Sequence, residues 1–348
     1  MKRKTKIDWP AVAAAFASRI PPGALHPAAM RRAFTEHRRE TRRVGRPSRW
    51  ALAFSGGADS LALLLMLWAE APGRWGRDFV VLHYNHRLRG AAADADEKFC
   101  RDVCTALGVT FVAGRWRTPR QGASEAEARA ARLEFFQREM SRRKMHLLWL
   151  AHQQDDIAES MLMRLARGSG TGGLAAPRPV QALGEGRLHL RPMLTLKKAE
   201  IVAALRQAGA TWREDASNAS ADHFRNRIRH RVLSAWIKAA GRDALAGAAL
   251  SRELLDEDDA ALEAWLDGLQ ALDRRGRLAL GPLAGKPRAL VRRALHRWLL
   301  AVRPDTDLSR QGFNQLLALV QRGIDTRFSL GAKGFAVVQR GRLIFRSA

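Results

Sequence analysis

Residues Phe54-Ser55-Gly56-Gly57-Ala58-Asp59-Ser60 bring two hydroxyls, two glycines and a carboxylate into one short stretch. An apolar run, Trp50-Ala51-Leu52-Ala53, leads into it, and a second, Leu61-Ala62-Leu63-Leu64-Leu65-Met66-Leu67, leads out. That order predicts a strand, a tight loop and a buried helix. The loop suits a phosphate. Gly56 and Gly57 allow a sharp turn, and N–H groups at the positive end of the helix can face an anion. Ser55 and Ser60 add hydroxyl donors, and Asp59 offers a carboxylate that can hold Mg²⁺ against phosphate oxygens. The Gly-Lys-Ser/Thr ending of a Walker A loop is absent, so the loop is of another type.

Further polar clusters stand at regular intervals. His83-Tyr84-Asn85-His86-Arg87-Leu88-Arg89 is one, and Ala151-His152-Gln153-Gln154-Asp155-Asp156-Ile157-Ala158-Glu159 is another. On a helical entry His152 and Asp156 share a face, with Glu159 one turn on. Three acids and a histidine in eight residues exceed what helix capping requires. Arg129 and Arg132 fall on one helix; an arginine aimed into a site steadies developing phosphate charge, although a surface arginine is the simpler reading. Arg167-Gly168-Ser169-Gly170 fits either a mobile loop closing over substrate or a plain helix C-terminus. Farther on, Arg225-Asn226-Arg227-Ile228-Arg229-His230-Arg231, with Trp212 and Phe224 nearby, suits a phosphate backbone and a stacked base.

These clusters need a frame. Strands are expected near 50–55, 78–84, 109–115 and 146–151, with helices near 59–70, 94–107, 125–143 and 154–167. Ser124 with Glu127 forms a capping box for the third helix. Strict alternation predicts an α/β fold, a doubly wound, mostly parallel sheet with ligands at the carboxyl ends of its strands. After residue 225 helices are expected near 228–240, 243–270, 287–302 and 309–322, then a β-hairpin turning at Gly341. The organisation read from this is a basic helical extension (1–47), a nucleotide-binding domain (48–225) and a second, mainly helical domain (226–348). Within the extension, Trp9, Ala13, Phe16 and Ile20 mark a short amphipathic helix. An arginine-rich helix follows around 27–43, and the pair serves as an RNA-contacting arm or as a solvated helical pair.

At 348 residues, 47% of them hydrophobic, the chain can bury one large core or two. Sixty Lys and Arg against 34 Asp and Glu leave a net charge of +26, which favours a polyanionic partner such as nucleic acid. Cys100 and Cys104, the two cysteines, are four apart in a helical pattern. They form no disulfide framework or Cys-x-x-Cys pair, as expected of a reducing cytoplasm. No apolar stretch reaches the ~20 residues that span a bilayer.

Taken together, the segments resemble the tRNA(Ile)-lysidine synthetases, members of the PP-loop N-type ATP pyrophosphatases with a Rossmann-like fold. The resemblance runs from about Trp50 to Leu233. It rests on the Ser55–Ser60 loop, His86-x-Leu88-Arg89, Glu127-Ala128-Arg129-x-x-Arg132 and Ala151-His152-x-x-Asp155-Asp156-x-x-Glu159. Arg167-Gly168-Ser169-Gly170, Arg191-Pro192-Met193-Leu194, Glu214-Asp215-x-Ser217-Asn218 and Arg225-Asn226-Arg227-Ile228-Arg229 complete it. Leu133, Arg87, Ala216 and Ser234 depart from the usual pattern without removing a polar group. The region after residue 225 accommodates one domain where many members carry two.

The resemblance implies ATP as substrate, Mg²⁺ on Asp59, and CAU-anticodon tRNA(Ile) and free L-lysine as partners. ATP adenylates the wobble cytidine, lysine displaces AMP, and the resulting lysidine pairs with A instead of G. On this reading Ser55, Gly56, Gly57, Ala58, Asp59 and Ser60 hold nucleotide, and Arg132 supports the adenylate. His152 and Asp156 orient groups or move protons, Glu159 pairs with the lysine ammonium, and Arg225, Arg227 and Arg229 contact RNA. Two other readings are a tRNA thiolation enzyme, which wants cysteines placed to carry sulfur, and a non-catalytic RNA-binding protein retaining the fold. Oligomeric state is not legible; a homodimer is one option.

Overall fold

In the computed structural model the described residues are 7–20, 24–25, 30–31, 35, 39, 49–70, 79–118, 123–184, 186–214, 224–302 and 308–347. The chain divides into two compact units, Met1–Leu254 and Leu255–Ala348, and the division falls inside one long helix, Ala244–Gly268. The change of character expected at 225 thus precedes the structural division. Leu233, Leu245 and Ala248 share a buried cluster with Ile157, Ala158 and Leu194, which keeps this stretch in the first unit.

Six strands form the sheet of the first unit: β1 (Trp50–Ala53), β2 (Phe79–Asn85), β3 (Thr110–Arg115), β4 (Leu147–Trp149), β5 (Val180–Ala182) and β6 (Leu188–Leu190). Their order is β3-β2-β1-β4-β6-β5, parallel throughout except for the β5–β6 pair. The chain steps outward from β1 to β3, then returns to the other side of β1 for β4. That reversal puts a switch point at the carboxyl edge between β1 and β4, where such sheets bind ligands. The doubly wound, mostly parallel sheet is therefore as expected; the short β5 and β6 were not foreseen.

The helix after β1, here α2 (Ala58–Glu70), is buried from Ser60 through Leu67. A helix apolar all round has to be covered on every side. The sheet covers one side, and α1 (Trp9–Ala17) joins the cluster that covers the rest, with Trp9, Val12, Ala13 and Phe16 buried. Asp8 caps α1 by accepting from Ala11 N at 3.1 Å, and Trp9 meets the ring of Phe99 edge-on at 6.0 Å. The expectation of a solvated helical pair is corrected for α1, whose apolar face is a layer of the core. Most of the arginine-rich stretch around 27–43 lies outside the described residues, but Met30 is buried in the same cluster.

On the other face, α4 (Glu125–Arg142) lays Phe135, Phe136 and Met140 against Ala51, Val80, Leu82 and Leu148. Gly114 on β3 is required by this contact, since a Cβ there would lie 2.5 Å from the Phe135 ring. The capping box is present: Glu127 N donates to Ser124 Oγ at 3.2 Å, and Ser124 N donates to Glu127 Oε2 at 2.8 Å. The remaining helices of this edge are α3 (Ala91–Ala106), α5 (Gln154–Ala166) and α6 (Lys198–Gln207). Next comes α7, made of consecutive segments Phe224–Arg227 (α), Ile228–Leu233 (π) and Ser234–Ala239 (α).

In the second unit, helices Arg288–Val302 and Arg310–Arg322 enclose Trp298, Leu316 and Leu317. The terminal hairpin forms with its turn at Arg340 and Gly341, both at positive φ. It belongs to a larger antiparallel sheet that also takes in Leu278–Ala279 and Thr326–Ser329. Among the described residues no helix is long and apolar enough to cross a membrane.

Because Phe16 is fully buried against α2, Phe16→Ala should destabilise the chain by about 3–5 kcal/mol in a denaturant titration. Ser18→Ala, an exposed change on the same segment, should alter stability by less than about 0.5 kcal/mol.

Candidate active site

Gly56 turns the chain out of β1 at φ +87, a conformation that a side chain resists. A Cβ there would also lie 3.0 Å from Cys100 Sγ and 3.4 Å from the Phe99 ring. The loop's carbonyls are used internally. Gly56 O accepts from Arg213 N at 2.9 Å, and Gly57 O accepts from Ser60 Oγ at 3.0 Å and Leu61 N at 2.9 Å. Ser60 Oγ also accepts from Ser55 N at 3.2 Å and lies 3.0 Å from Ser55 Oγ. By contrast, the N–H groups of Gly56, Ala58 and Asp59 have no acceptor among the described residues. Free amides at a helix N-terminus form an anion cradle.

The next carboxyl edge, after β4, carries the acids. Gln153 caps α5, accepting from Asp155 N at 2.6 Å, while Asp156 Oδ2 accepts from Gln153 N at 3.0 Å. Helix α5 therefore starts at Gln154, and His152 precedes it. The expected shared helical face of His152 and Asp156 is corrected accordingly.

Asp156 Oδ1 accepts from Arg225 Nη2 at 2.5 Å. Glu159, 1% exposed, accepts from Arg225 Nε at 2.8 Å, Arg229 Nε at 2.5 Å and Arg229 Nη2 at 3.0 Å. Arg225 and Arg229 were expected on an RNA backbone, and Glu159 on an ammonium. In this structure they satisfy one another, because a buried carboxylate is costly without a cation. Arg227 stacks over Phe224 at 5.8 Å and Arg206 over Trp212 at 5.9 Å, so each aromatic expected to stack a base already carries an arginine.

Lys198 and Asp96, which were not expected here, lie beside the loop together with Arg213. Lys198 Nζ sits 2.7 Å from both oxygens of Asp59, and Lys198 N donates to Asp155 Oδ2 at 3.0 Å. Arg213 donates from Nε to Asp96 at 2.6 Å while its amide holds Gly56. Buried Asp96 also takes Arg89 Nη2 at 2.8 Å. The available signal for Lys198 was its place at the start of a capped helix (Glu200 Oε2 accepts from Lys197 N at 3.0 Å), the next helix after β6.

His152 is held well below the usual imidazole range, first by burial and then by Arg191, Arg225, Arg129 and Arg132. Its Nδ1 is buried without a hydrogen-bond partner. Burial also lowers Arg132, with Arg129 adding to the effect, and both arginines bear electrostatically on His152. His83 sits beneath the loop with Nδ1 2.8 Å from Phe54 O, and burial lowers it too. Arg167 and Gly168 end α5 as an ordinary cap, Gly168 at φ +68, which favours the helix C-terminus reading. Of Glu214-Asp215-x-Ser217-Asn218, only Glu214 is among the described residues.

With this geometry in place, comparison with known proteins decides the family. The PP-loop domain family matches residues 30–236, more than half of the chain. The chain belongs to the PP-loop family. A curated tRNA(Ile)-lysidine synthase of Solibacter usitatus is 42% identical over 53% of this chain and 40% of its own length. Those of Geobacter sulfurreducens and Bacillus subtilis are 35% and 37% identical, over 78% and 60% of this chain and 58% and 44% of their lengths. The chain thus spans about half the length of the curated relatives it matches. Among solved structures, the U34-tRNA thiolase NcsA of Methanococcus maripaludis aligns at TM-score 0.49 and 17% identity, over 64% of this chain and 79% of that one.

A PP-loop domain binds ATP, and the free amides described above fit its phosphates. Mg²⁺ is bound through one or two carboxylates plus substrate phosphates, so a single loop carboxylate suffices. Asp59 fits that role: it already attracts a cation, Lys198. Burial raises the Asp59 carboxyl, and Lys198 opposes the rise.

Two outcomes follow from this site. Gly56→Ala should destabilise the protein by about 1–3 kcal/mol, through positive φ and the Cys100 contact, and should weaken ATP binding measured by calorimetry. For His152, the native pKa lies below the unfolded value of about 6.5, so below that value the unfolded chain binds more protons. Stability should therefore fall as pH drops from about 7.5 to about 5.5. His152→Gln should shrink that fall by roughly 1 kcal/mol in denaturant titrations. His83 and His189, lowered likewise, should keep it from vanishing.

Proposed function

We propose that this PP-loop domain ligates lysine to C2 of the wobble cytidine of a CAU-anticodon tRNA(Ile). ATP would be split to AMP and pyrophosphate, forming lysidine and switching codon reading from AUG to AUA. The observation that carries the reading is the buried Asp156–Glu159 pair, ion-paired with two guanidinium groups and near enough to Asp59 to act on it electrostatically. A carboxylate pair that takes organic cations, in a domain with an ATP loop, suits an amino-acid ammonium. The names of the curated relatives support the same assignment.

The steps balance. The cytosine O2 attacks the α-phosphorus, the bond to the β-phosphate oxygen breaks, and pyrophosphate leaves. The lysine ammonium loses a proton, its amine attacks C2, the C2–O bond breaks, and AMP leaves. Amides of Gly56, Ala58 and Asp59 hold phosphate oxygens, and a bound Mg²⁺ on Asp59 supplies charge neutralisation. Arg132 supports the adenylate; neutral His152 offers a ring nitrogen to orient the base. Glu159 and Asp156 receive the ammonium and its proton. Arg225 and Arg229 then exchange these carboxylates for RNA phosphates, with Arg227 beside them, so neither partner is left buried and unpaired.

Thiolation is disfavoured by a specific observation. Cys100 and Cys104 are fully buried, and burial pushes both thiols up, away from the reactive thiolate. The deciding experiment is mass analysis of nucleosides from CAU-anticodon tRNA incubated with the protein, ATP and labelled lysine. Lysidine is the expected product. Sulfur-donor dependence would favour thiolation, and tight tRNA binding without pyrophosphate release would favour a non-catalytic role.

If Glu159 receives the ammonium, Glu159→Gln should raise the KM for lysine roughly ten- to hundredfold. ATP affinity should stay unchanged in calorimetry. A variant with normal lysine KM would remove Glu159 from the scheme.

A further inference from the structure

The phosphate loop lacks the lysine that a Walker A loop carries in its own sequence, yet a lysine stands on it. Lys198 reaches Asp59 from the far side of the β1/β4 switch point, with Nζ 2.7 Å from each carboxylate oxygen. Its main chain is fixed. Lys198 N donates to Asp155 Oδ2 at 3.0 Å, and the preceding turn is tied to α5 where Gln154 N donates to Leu196 O at 2.8 Å. The anchor is rigid, and the four-carbon side chain is the adjustable part.

Stability does not account for this residue. The ion pair is partly open, its side chains 40% and 27% exposed, and such pairs contribute little. Lys198 is also the first residue of a ten-residue helix, where the positive end of the dipole disfavours a cation. A lysine kept at an unfavourable position, on a half-open pair, beside unused amides, has its use in a ligand.

We propose that Lys198 is the cation that binds the pyrophosphate portion of ATP in this loop. Nζ shifts from the Asp59 carboxylate to phosphate oxygens, doing from the start of α6 what a Walker lysine does from within its loop. Asp59 is thereby released for the metal. This inference rests on ATP binding by the PP-loop domain and not on the identity of the group that is adenylated.

The test compares three ligands, ATP, AMP and inorganic pyrophosphate, by calorimetry on the full chain. Lys198→Met should weaken ATP and pyrophosphate roughly ten- to hundredfold and leave AMP unchanged. Lys198→Arg, which keeps the charge, should recover most of the ATP affinity. Unchanged ATP binding in Lys198→Met overturns the proposal. So does a parallel loss of AMP affinity, which would make Lys198 a support for the loop. If Lys198→Met does not fold, Lys198→Gln is read by the same criteria. Failure to form lysidine alongside the expected binding pattern would discard only the lysine-ligation reading.

Discussion

Burying a carboxylate obliges the protein to bring a cation to it, and at Glu159 that obligation shapes the first unit. Helix α5 has to emerge from β4 with Gln153 as its cap, and Glu159 then lies almost wholly out of solvent. The compensating charges come from 66 and 70 residues downstream, on Arg225 and Arg229. For both to arrive, the chain after the α/β alternation has to fold back to the sheet edge. Leu233, Leu245 and Ala248 are buried there with Ile157 and Leu194, which holds α7 in place. Arg225 and Arg229 are four apart, across the junction where an α segment passes into a π segment, so both face α5.

Such pairs are poor sources of net stability, because desolvation roughly offsets the attraction. Removing one partner, however, leaves a buried charge and costs about 3–5 kcal/mol. The site is therefore conservative in charge: a cation can enter only as another finds a new anion. Under the function proposed above, that property would make the cluster an exchange point between an ammonium and RNA phosphates. Lys198 and Asp59 obey the same rule at lower cost, since both remain partly in water.

Much of the frame was legible because the strands that build it are apolar runs bounded by polar clusters. Strands β1 to β4 and helices α2 to α5 fell close to their expected bounds, and Ser124 with Glu127 fixed one start. The three-residue β5 and β6 carry too little pattern to stand out, and with them went α6 and Lys198. Helix α5 starts at Gln154, as the expected bounds 154–167 have it, so the shared face read for His152 and Asp156 on a helical entry does not form; Gln153, the cap that fixes this start, is outside the residue types that usually signal one. The loop was legible by residue type alone; the partners of its neighbours were not. Nothing local in Arg225-Asn226-Arg227-Ile228-Arg229 distinguishes arginines that meet phosphate from arginines that meet Glu159. The spacing of Trp9, Ala13, Phe16 and Ile20 marked α1 as amphipathic, but nothing local said that this face closes the core over α2.

The loop's readiness for an anion is settled from beneath, by α3. Cys100 fills the space where a Gly56 side chain would lie, so the turn has one shape available to it. Arg213 takes the Gly56 carbonyl and is itself held on Asp96, which Arg89 also pairs. One residue on, Glu97 accepts from Asn85, Arg101 and Arg115, and although burial opposes ionisation these donors bring its carboxyl down to about 2. The charges under the loop are thus cancelled within α3 and its partners, and the Gly56 and Gly57 carbonyls are consumed by the chain. What stays unspent at the switch point is donors, the amides of Gly56, Ala58 and Asp59. Free amide donors at a helix N-terminus attract an anion before any particular chemistry is specified.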